Sequence, residues 1–376
     1  MNAPLPRNLV LLAQIVALGM IGHDVPGSLH GVFLPFLPWL DVFHASPLYE
    51  RALAGLLYVS LVLVIVNRWT RMAAITAGLT LLLALLSSRA YYKNDLVYCA
   101  AILFMVGVSD RNGWFPRLQV SLVYGAAALN KALDAEWWSG RFFEAWIEVG
   151  ARTPYMVETN YLWFPDAYLR LSSFLPELLL SQCMSAMVIF TEFALAVGLL
   201  LDRTRRLMVV VGLLFHATLT IVIGESFGVF FYAMCASYLA FVTWPEQALA
   251  VHCHPASRHA QALKWFAELG RACGEVRCVP TLRVDSIAVE ANGRWLVGMA
   301  AARRALMRMP RTYYVIALLM IAPSWGYLVS YDLWGMGFWA RTYLILVLAV
   351  FLLPLATRER TREPSFAPRP VHEEAS

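Results

Sequence analysis

The sequence predicts an all-α polytopic membrane helix bundle of about 8–10 spans with a small cytoplasmic α+β insertion. Three observations predict it. Of 376 residues, 60% are hydrophobic and only 15% are charged, with a mean hydropathy of +0.59, far from the balance of a water-soluble domain. Apolar runs long enough to cross a hydrocarbon core about 30 Å thick recur along the chain. Between them, Lys and Arg collect in alternate loops.

The apolar runs lie at 8–22, 51–66, 72–88, 95–108, 116–133, 174–201, 207–223, 226–244, 312–331 and 340–356. Arg68 and Arg71 follow the second, Arg111 and Arg117 the fourth, Arg203, Arg205 and Arg206 the sixth, and Arg358, Arg360 and Arg362 the last. Those loops and both termini are expected in the cytoplasm, which sends 89–94, 134–173 and 224–226 to the other face of a plasma (bacterial inner) membrane. The start, "MNAPLPRNLVLLAQIVALGMIG", has the charge and apolar core of a signal peptide. No small-residue cleavage pattern follows it, since His23, Asp24, Val25 and Pro26 come next, so an uncleaved first span is expected.

Residues 1–244 thus form the transmembrane domain, and 245–311 a small soluble unit. In that unit "HAQALKWFAELG" has helical period, "SIAVEANGRWLVG" reads as two strands joined by Asn292-Gly293, and "MAAARRALMRM" is a second amphipathic helix. Residues 312–356 carry C-terminal helices with one or two spans, and the charged tail 357–376 is expected to be disordered.

Several function classes are excluded or weakened. The net charge of +5 comes largely from the topological arginines, so no nucleic-acid surface is expected. Six cysteines, at 99, 183, 235, 253, 273 and 278, make no C-x-x-C pair and predict no disulfide framework. The run His252-Cys253-His254…His259 offers imidazole and thiolate, but without the spacing of a structural zinc site, so no metal is expected. The chain shows no inverted repeat or paired broken helices, which lowers a transporter reading.

Ionisable groups inside apolar spans mark functional sites, because an unpaired charge in lipid costs several kcal/mol. Lys131 closes the fifth span, Glu192 lies in the sixth, His216 in the seventh, and Asn94-Asp95 opens the fourth. By the expected topology Lys131 and Asp95 sit near the outer boundary with His216 at mid-depth, lining one cavity open to the non-cytoplasmic side. Each has a plainer reading: Lys131 snorkelling to the interface, Glu192 and His216 bonded to each other or to a neighbouring helix, Asp95 solvated at a helix start, and Trp137, Trp138 and Trp146 in an interfacial aromatic belt.

The order "QVSLVYGAAALNKALDAEWWSG", "FTEFALAVGLL", "LLFHATLTIVIGESFGVFFYA" resembles the vitamin K-dependent γ-carboxylase family and its bacterial relatives with the horizontally transferred transmembrane (HTTM) domain, over roughly residues 85–245. That family runs through a V-Y-x-x-A-x-x-x-K-like span, D-A-[DE]-W-x-x-G, an acidic residue in the next span and F-H in the one after. The resemblance implies Lys131 as the base that deprotonates a reduced quinone (vitamin K-like or ubiquinol), with Asn94 and His216 as further catalytic residues. It implies Tyr124, Trp137, Glu192 and Asp95 around the cofactor. The deprotonated quinol would react with O2 to give a strong base that removes a proton from carbon, and the carbanion would take up CO2. A lysine suits the first step because desolvation favours its neutral form.

The departures are specific. In the mammalian enzymes the lysine stands one residue closer to D-A-[DE]-W than Lys131 does, and the family asparagine precedes His rather than Asp95. No large soluble portion for a protein substrate follows, so a small molecule or peptide is expected instead, alongside the quinone and the lipid bilayer as partners. The 245–311 unit resembles the DCC-type, thioredoxin-like domain sometimes joined to HTTM proteins, with "VHCHPASRH" where D-x-x-C-x-x-C would stand. A redox-inactive remnant is expected there, and the likeness also allows 312–331 to be its closing helix. The competing reading is a non-catalytic quinone-binding or assembly protein.

Overall fold

The computed structural model describes residues 5–29, 34–43, 46–89, 92–110, 112–145, 170–176, 178–223, 228–242, 249–268, 276–280, 287–291, 294–309, 312 and 315. Two compact units divide the described residues, one within Met1–Thr243 and one within Trp244–Val315. The expected spans at 312–331 and 340–356, the tail and the Asn292-Gly293 turn lie outside the described residues, single residues apart.

The first unit is helical: α1 (Arg7–Gly22), α2 (Pro47–Ile65), α3 (Thr70–Ser87), α4 (Asn94–Val108), α5 (Trp114–Leu133), α6 (Ala135–Ser139), α7 (Leu179–Gly198), α8 (Arg205–Ile223) and α9 (Gly228–Ser237), which tightens into a 3-10 turn over Tyr238–Phe241. Every apolar run expected between 8 and 244 therefore carries a helix. Three of these helices, α2, α3 and α7, are long and apolar enough to cross a membrane; α1, α4 and Val229–Phe241 are apolar but shorter. Helix α5 is as long as α7, but Arg117, Gln119, Asn130 and Lys131 make it more polar. Among the described residues α2, α3 and α7 meet the length and hydropathy of a span, fewer than the 8–10 expected for the whole chain.

Packing fixes which helix ends share a side. Arg71, at the start of α3, donates to the Gly107 and Ser109 carbonyls at the end of α4, at 3.0 and 2.9 Å. Arg117, at the start of α5, donates to the Ala240 carbonyl at 2.6 Å, and Asn8 of α1 to its neighbour Leu239 at 3.0 Å. Arg205, at the start of α8, binds the Leu199 and Leu200 carbonyls beyond α7, both at 3.1 Å. The last carbonyls of a helix have no partner within it, and the arginines that mark alternate loops in the sequence satisfy them here. Antiparallel α3 and α4 pack closely because Gly78 has no Cβ: one would lie 2.6 Å from the Ala100 carbonyl oxygen.

The second unit is a four-stranded sheet of order β2-β1-β3-β4, built from β1 (Leu249–Cys253), β2 (Val276–Pro280), β3 (Ile287–Ala291) and β4 (Arg294–Val297). Strands β1 and β2 are parallel and joined through α10 (Arg258–Glu268); β3 runs antiparallel to β1 and forms a hairpin with β4, closed by the pair Ala291 and Arg294. Helix α11 (Met299–Arg308) follows. Leu249, Val251, Cys253, Ile287 and Val289 meet Ala260 and Leu263 of α10 and Ala301 and Ala305 of α11 in one core. The expected helices and the antiparallel pairing of the two expected strands are present. Strands β1 and β2 were not expected, since runs of five residues give period-2 patterning little room to show.

Candidate functional site

Lys131 and Tyr124 share one face of α5, seven residues and so two turns apart. Each anchors a polar cluster. Lys131 meets Glu192 of α7, its Nζ donating to both carboxylate oxygens at 2.8 and 2.7 Å. The side chains are 21% and 9% exposed, so the pair is largely withdrawn from solvent.

Helix geometry makes this meeting unavoidable once α5 and α7 are antiparallel. Gly125 faces Ala196, and Gly140 beyond α5 abuts Ser181 and Gln182, so ascending residues on one helix face descending ones on the other. Side chains lean toward the N-terminus of their own helix. Lys131 therefore leans back along α5 toward the interior, while Glu192 leans along α7 to meet it. Lys131 is thus paired with Glu192 and lies beside Trp137 rather than standing alone at the helix end.

The stretch after Lys131 forms a roof beside the pair. The Asp134 carboxylate accepts the Glu136 N–H at 2.9 Å and caps the single turn α6. The turn ends on Gly140, at φ +79°, where a Cβ would stand 2.8 Å from the Gln182 nitrogen. In between, the Trp137 ring lies 5.2 Å from the Lys131 ammonium, within cation–π range. Trp137 stacks on Phe142 at 4.3 Å and meets Phe143 edge-on at 5.4 Å. Trp138 donates its indole N–H to the Ala132 carbonyl at 2.7 Å and contacts Phe190. Ser139 closes the turn by donating to the Glu136 carbonyl at 3.0 Å and seats it by accepting, on its own carbonyl, from Gln182 Nε2 at 3.3 Å.

The second cluster is neutral and deeper. The Tyr124 hydroxyl bonds His216 Nε2 of α8 at 2.6 Å and the Tyr238 hydroxyl. Tyr124, His216 and Tyr238 are 3, 4 and 2% exposed. Beside them Tyr98 donates to Ser237 Oγ at 2.6 Å, and Ser237 donates to the Ala233 carbonyl at 2.6 Å.

The remaining candidates stand apart. Asn94 and Asp95 open α4 and make no hydrogen bond with Lys131, Tyr124 or His216 among the described residues. Asp95 instead acts on His23, beyond α1, whose imidazole is held below its ordinary value by desolvation and drawn partly back by that carboxylate. In the hydrogen bonds among the described residues, Lys131 and His216, expected to line one cavity with Asp95, belong to two clusters, and Asn94 and Asp95 join neither. Glu192 partners Lys131 rather than His216; lone opposite charges in neighbouring apolar spans were the signal for that pairing. Nothing in the sequence singled out Tyr238, one hydroxyl in a run of aromatic residues.

In the small unit, His252 and Cys253 alternate across β1 and point to opposite faces. His252 packs against Trp295 at 5.0 Å, while Cys253 enters the core, where burial and then the neighbouring Cys278 push its thiol up to about 12. No group of three or more metal-ligating side chains forms among the described residues. No protein-family profile, no curated protein and no solved structure matches the chain.

Proposed function

We propose that the chain is an integral-membrane enzyme of the HTTM and γ-carboxylase-like type, in which Lys131 deprotonates a reduced quinone for O2-dependent carbanion or oxidative chemistry on a small molecule or peptide. The carrying observation is the Lys131–Glu192 pair under Trp137, a proton-exchanging couple held beside an apolar aromatic surface. That surface suits a quinone, since Trp137, Phe142 and Phe143 offer ring faces and edges next to the amine. When bound, the quinol supplies the reducing equivalents for O2 chemistry, with CO2 as the acceptor expected for a carbanion.

The residues divide the work simply. As an ammonium, Lys131 has no lone pair and cannot act as a base. Moving one of its protons onto Glu192 leaves a neutral amine that accepts the proton of a quinol O–H. The ammonium so formed keeps its cation–π contact with Trp137. Asn94 and His216 take no step here, because neither is bonded to Lys131. The proposal also places the chain in the plasma (inner) membrane as a bundle of 8–10 spans, with arginine-bearing helix ends and both termini in the cytoplasm. The strand order of the small unit supports its likeness to a DCC-type, thioredoxin-like domain, and the C-x-x-C position falls within the stretch Val251–His259, which holds no such pair.

One observation favours the second reading, a non-catalytic quinone-binding or assembly protein. Glu192 engages two of the three N–H groups of Lys131, which is also how a clamp between α5 and α7 would look. Purified protein in detergent, given reduced naphthoquinone or ubiquinol with O2, separates the two by mass spectrometry for quinone epoxide. The enzyme reading expects product in the wild type and its loss in Lys131→Ala. Full product in Lys131→Ala would remove the lysine from the mechanism, and no product from any quinol would leave the clamp.

A further inference from the structure

The arginines at the start of α5 and beyond α7 have more hydrogen-bonding capacity than the helix-end carbonyls use. We propose that Arg117, Arg203 and Arg206, with Arg205 beside them, seat the headgroup of an anionic glycerophospholipid. This inference rests on the membrane reading of the chain and not on the quinol chemistry.

Antiparallel packing brings the four arginines to one level. Gly125 of α5 faces Ala196 of α7, so Arg117, about two turns before Gly125, stands level with the stretch that follows Gly198. There Arg117 and Arg205 act on each other as like charges, with Asp202 and Asp110 as the acidic groups acting on Arg117. Both carboxylates are already engaged. Asp202 pairs with Arg205 at 2.6 Å, and Asp110 accepts the Asn112 and Gly113 N–H groups, both at 3.1 Å. Four arginines against two aspartates leave positive charge over.

That charge comes with open donors. Arg205 spends Nε and its terminal nitrogens on the Leu199 and Leu200 carbonyls and on Asp202. Arg117 gives Nε to the Ala240 carbonyl, and its two terminal nitrogens make no hydrogen bond among the described residues. Arg203 and Arg206 are exposed and make no side-chain hydrogen bond or ion pair among the described residues. A guanidinium presents its N–H groups in a planar fork that matches phosphate oxygens, so this set suits a phosphodiester.

Two features make the occupant a lipid rather than a soluble phosphate. Helix α7 is long and apolar enough to cross a membrane, and arginines that follow the end of such a helix lie at headgroup depth. Along α7, Phe190, Phe193 and Val197 are exposed, and Leu201 continues the line toward Arg203. Their three- and four-residue spacing is that of one helix face. An acyl chain lying on this stripe would begin at the arginines and run toward the middle of the helix. Trp114 and Leu207, at the starts of α5 and α8, add exposed apolar surface at the level of the headgroup.

The test uses the full chain in detergent micelles, titrated with phosphatidylglycerol or with phosphatidylcholine of the same acyl chains, and counts bound lipid by native mass spectrometry. Retention of phosphatidylglycerol over phosphatidylcholine is expected. The double change Arg203→Gln with Arg206→Gln removes two exposed charges that hold no part of the fold together. It should weaken phosphatidylglycerol binding about thirtyfold, at about fivefold for each charge. Arg68→Gln removes an exposed arginine beyond α2 on the same side and should bind like the wild type. Equal retention of the two lipids overturns the proposal, as does unchanged affinity in the double variant. A fivefold loss in Arg68→Gln would show a diffuse surface attraction in place of a seat and overturn it too. Displacement of the lipid by an equal concentration of inorganic phosphate would make the occupant a soluble anion and overturn the lipid. Quinone epoxide formation is a separate readout, so the two proposals fail independently.

Discussion

Lys131 and Tyr124 stand on one face of the same helix, yet their surroundings are satisfied in opposite ways. Lys131 meets a single full charge of opposite sign, and removing either partner strands the other in an apolar setting. Tyr124 sits in a neutral chain in which each group has a modest bond and none carries a net charge. The first arrangement is strong and brittle, because desolvating two ions is offset only while both are present. The second holds no ion, so losing one hydrogen bond leaves a polar group rather than a charge unsatisfied.

The contrast is broken most severely by Lys131→Met. It leaves the Glu192 carboxylate unpaired, and a loss of about 3–5 kcal/mol is expected, read as a lower thermal unfolding midpoint in detergent. The double change Lys131→Met with Glu192→Leu should recover most of it. If single and double variants unfold together, the pair contributes nothing as an ion pair.

Gly140→Val attacks the roof instead. A β-branched side chain at positive φ, pressed on the Gln182 backbone, should lose about 1–3 kcal/mol from strain alone. An unchanged midpoint would show that the turn after α6 relaxes freely.

Tyr124→Phe belongs to the neutral cluster and should cost about 1–3 kcal/mol, since His216 and Tyr238 each lose a buried partner. A loss matching that of Lys131→Met would erase the distinction between charged and neutral clusters. The smallest effect is expected for Trp138→Phe, which keeps the ring contact with Phe190 but loses the N–H bond to Ala132, worth about 1 kcal/mol. Its intrinsic fluorescence change and near-native midpoint can be recorded in one melt.

The helical unit was readable because its signal is solvent preference. Eight apolar runs before residue 244 coincide with helices, and the arginines between them fall at helix ends, where orphan carbonyls need donors. Lys131, Glu192 and His216 were visible as polar groups in apolar runs, and Tyr124 only through the family resemblance. Their partners were not, because pairing depends on which helices are neighbours and on the lean of each side chain. The small unit was readable in its amphipathic helices and in the two strands that pair as β3 and β4, but β1 and β2 are too short to announce themselves.

By itself the sequence determined that this chain is apolar and helical, where its helices run, and which few polar residues had to be satisfied within them. Composition and spacing suffice for that, since transfer from water and helical period act residue by residue. Only the tertiary structure decided that Lys131 is clamped by Glu192, that Tyr124 joins His216 to Tyr238, and that Asn94 and Asp95 stand apart. Those outcomes follow from antiparallel packing, close approach at glycines and side-chain direction, which no single stretch of chain contains.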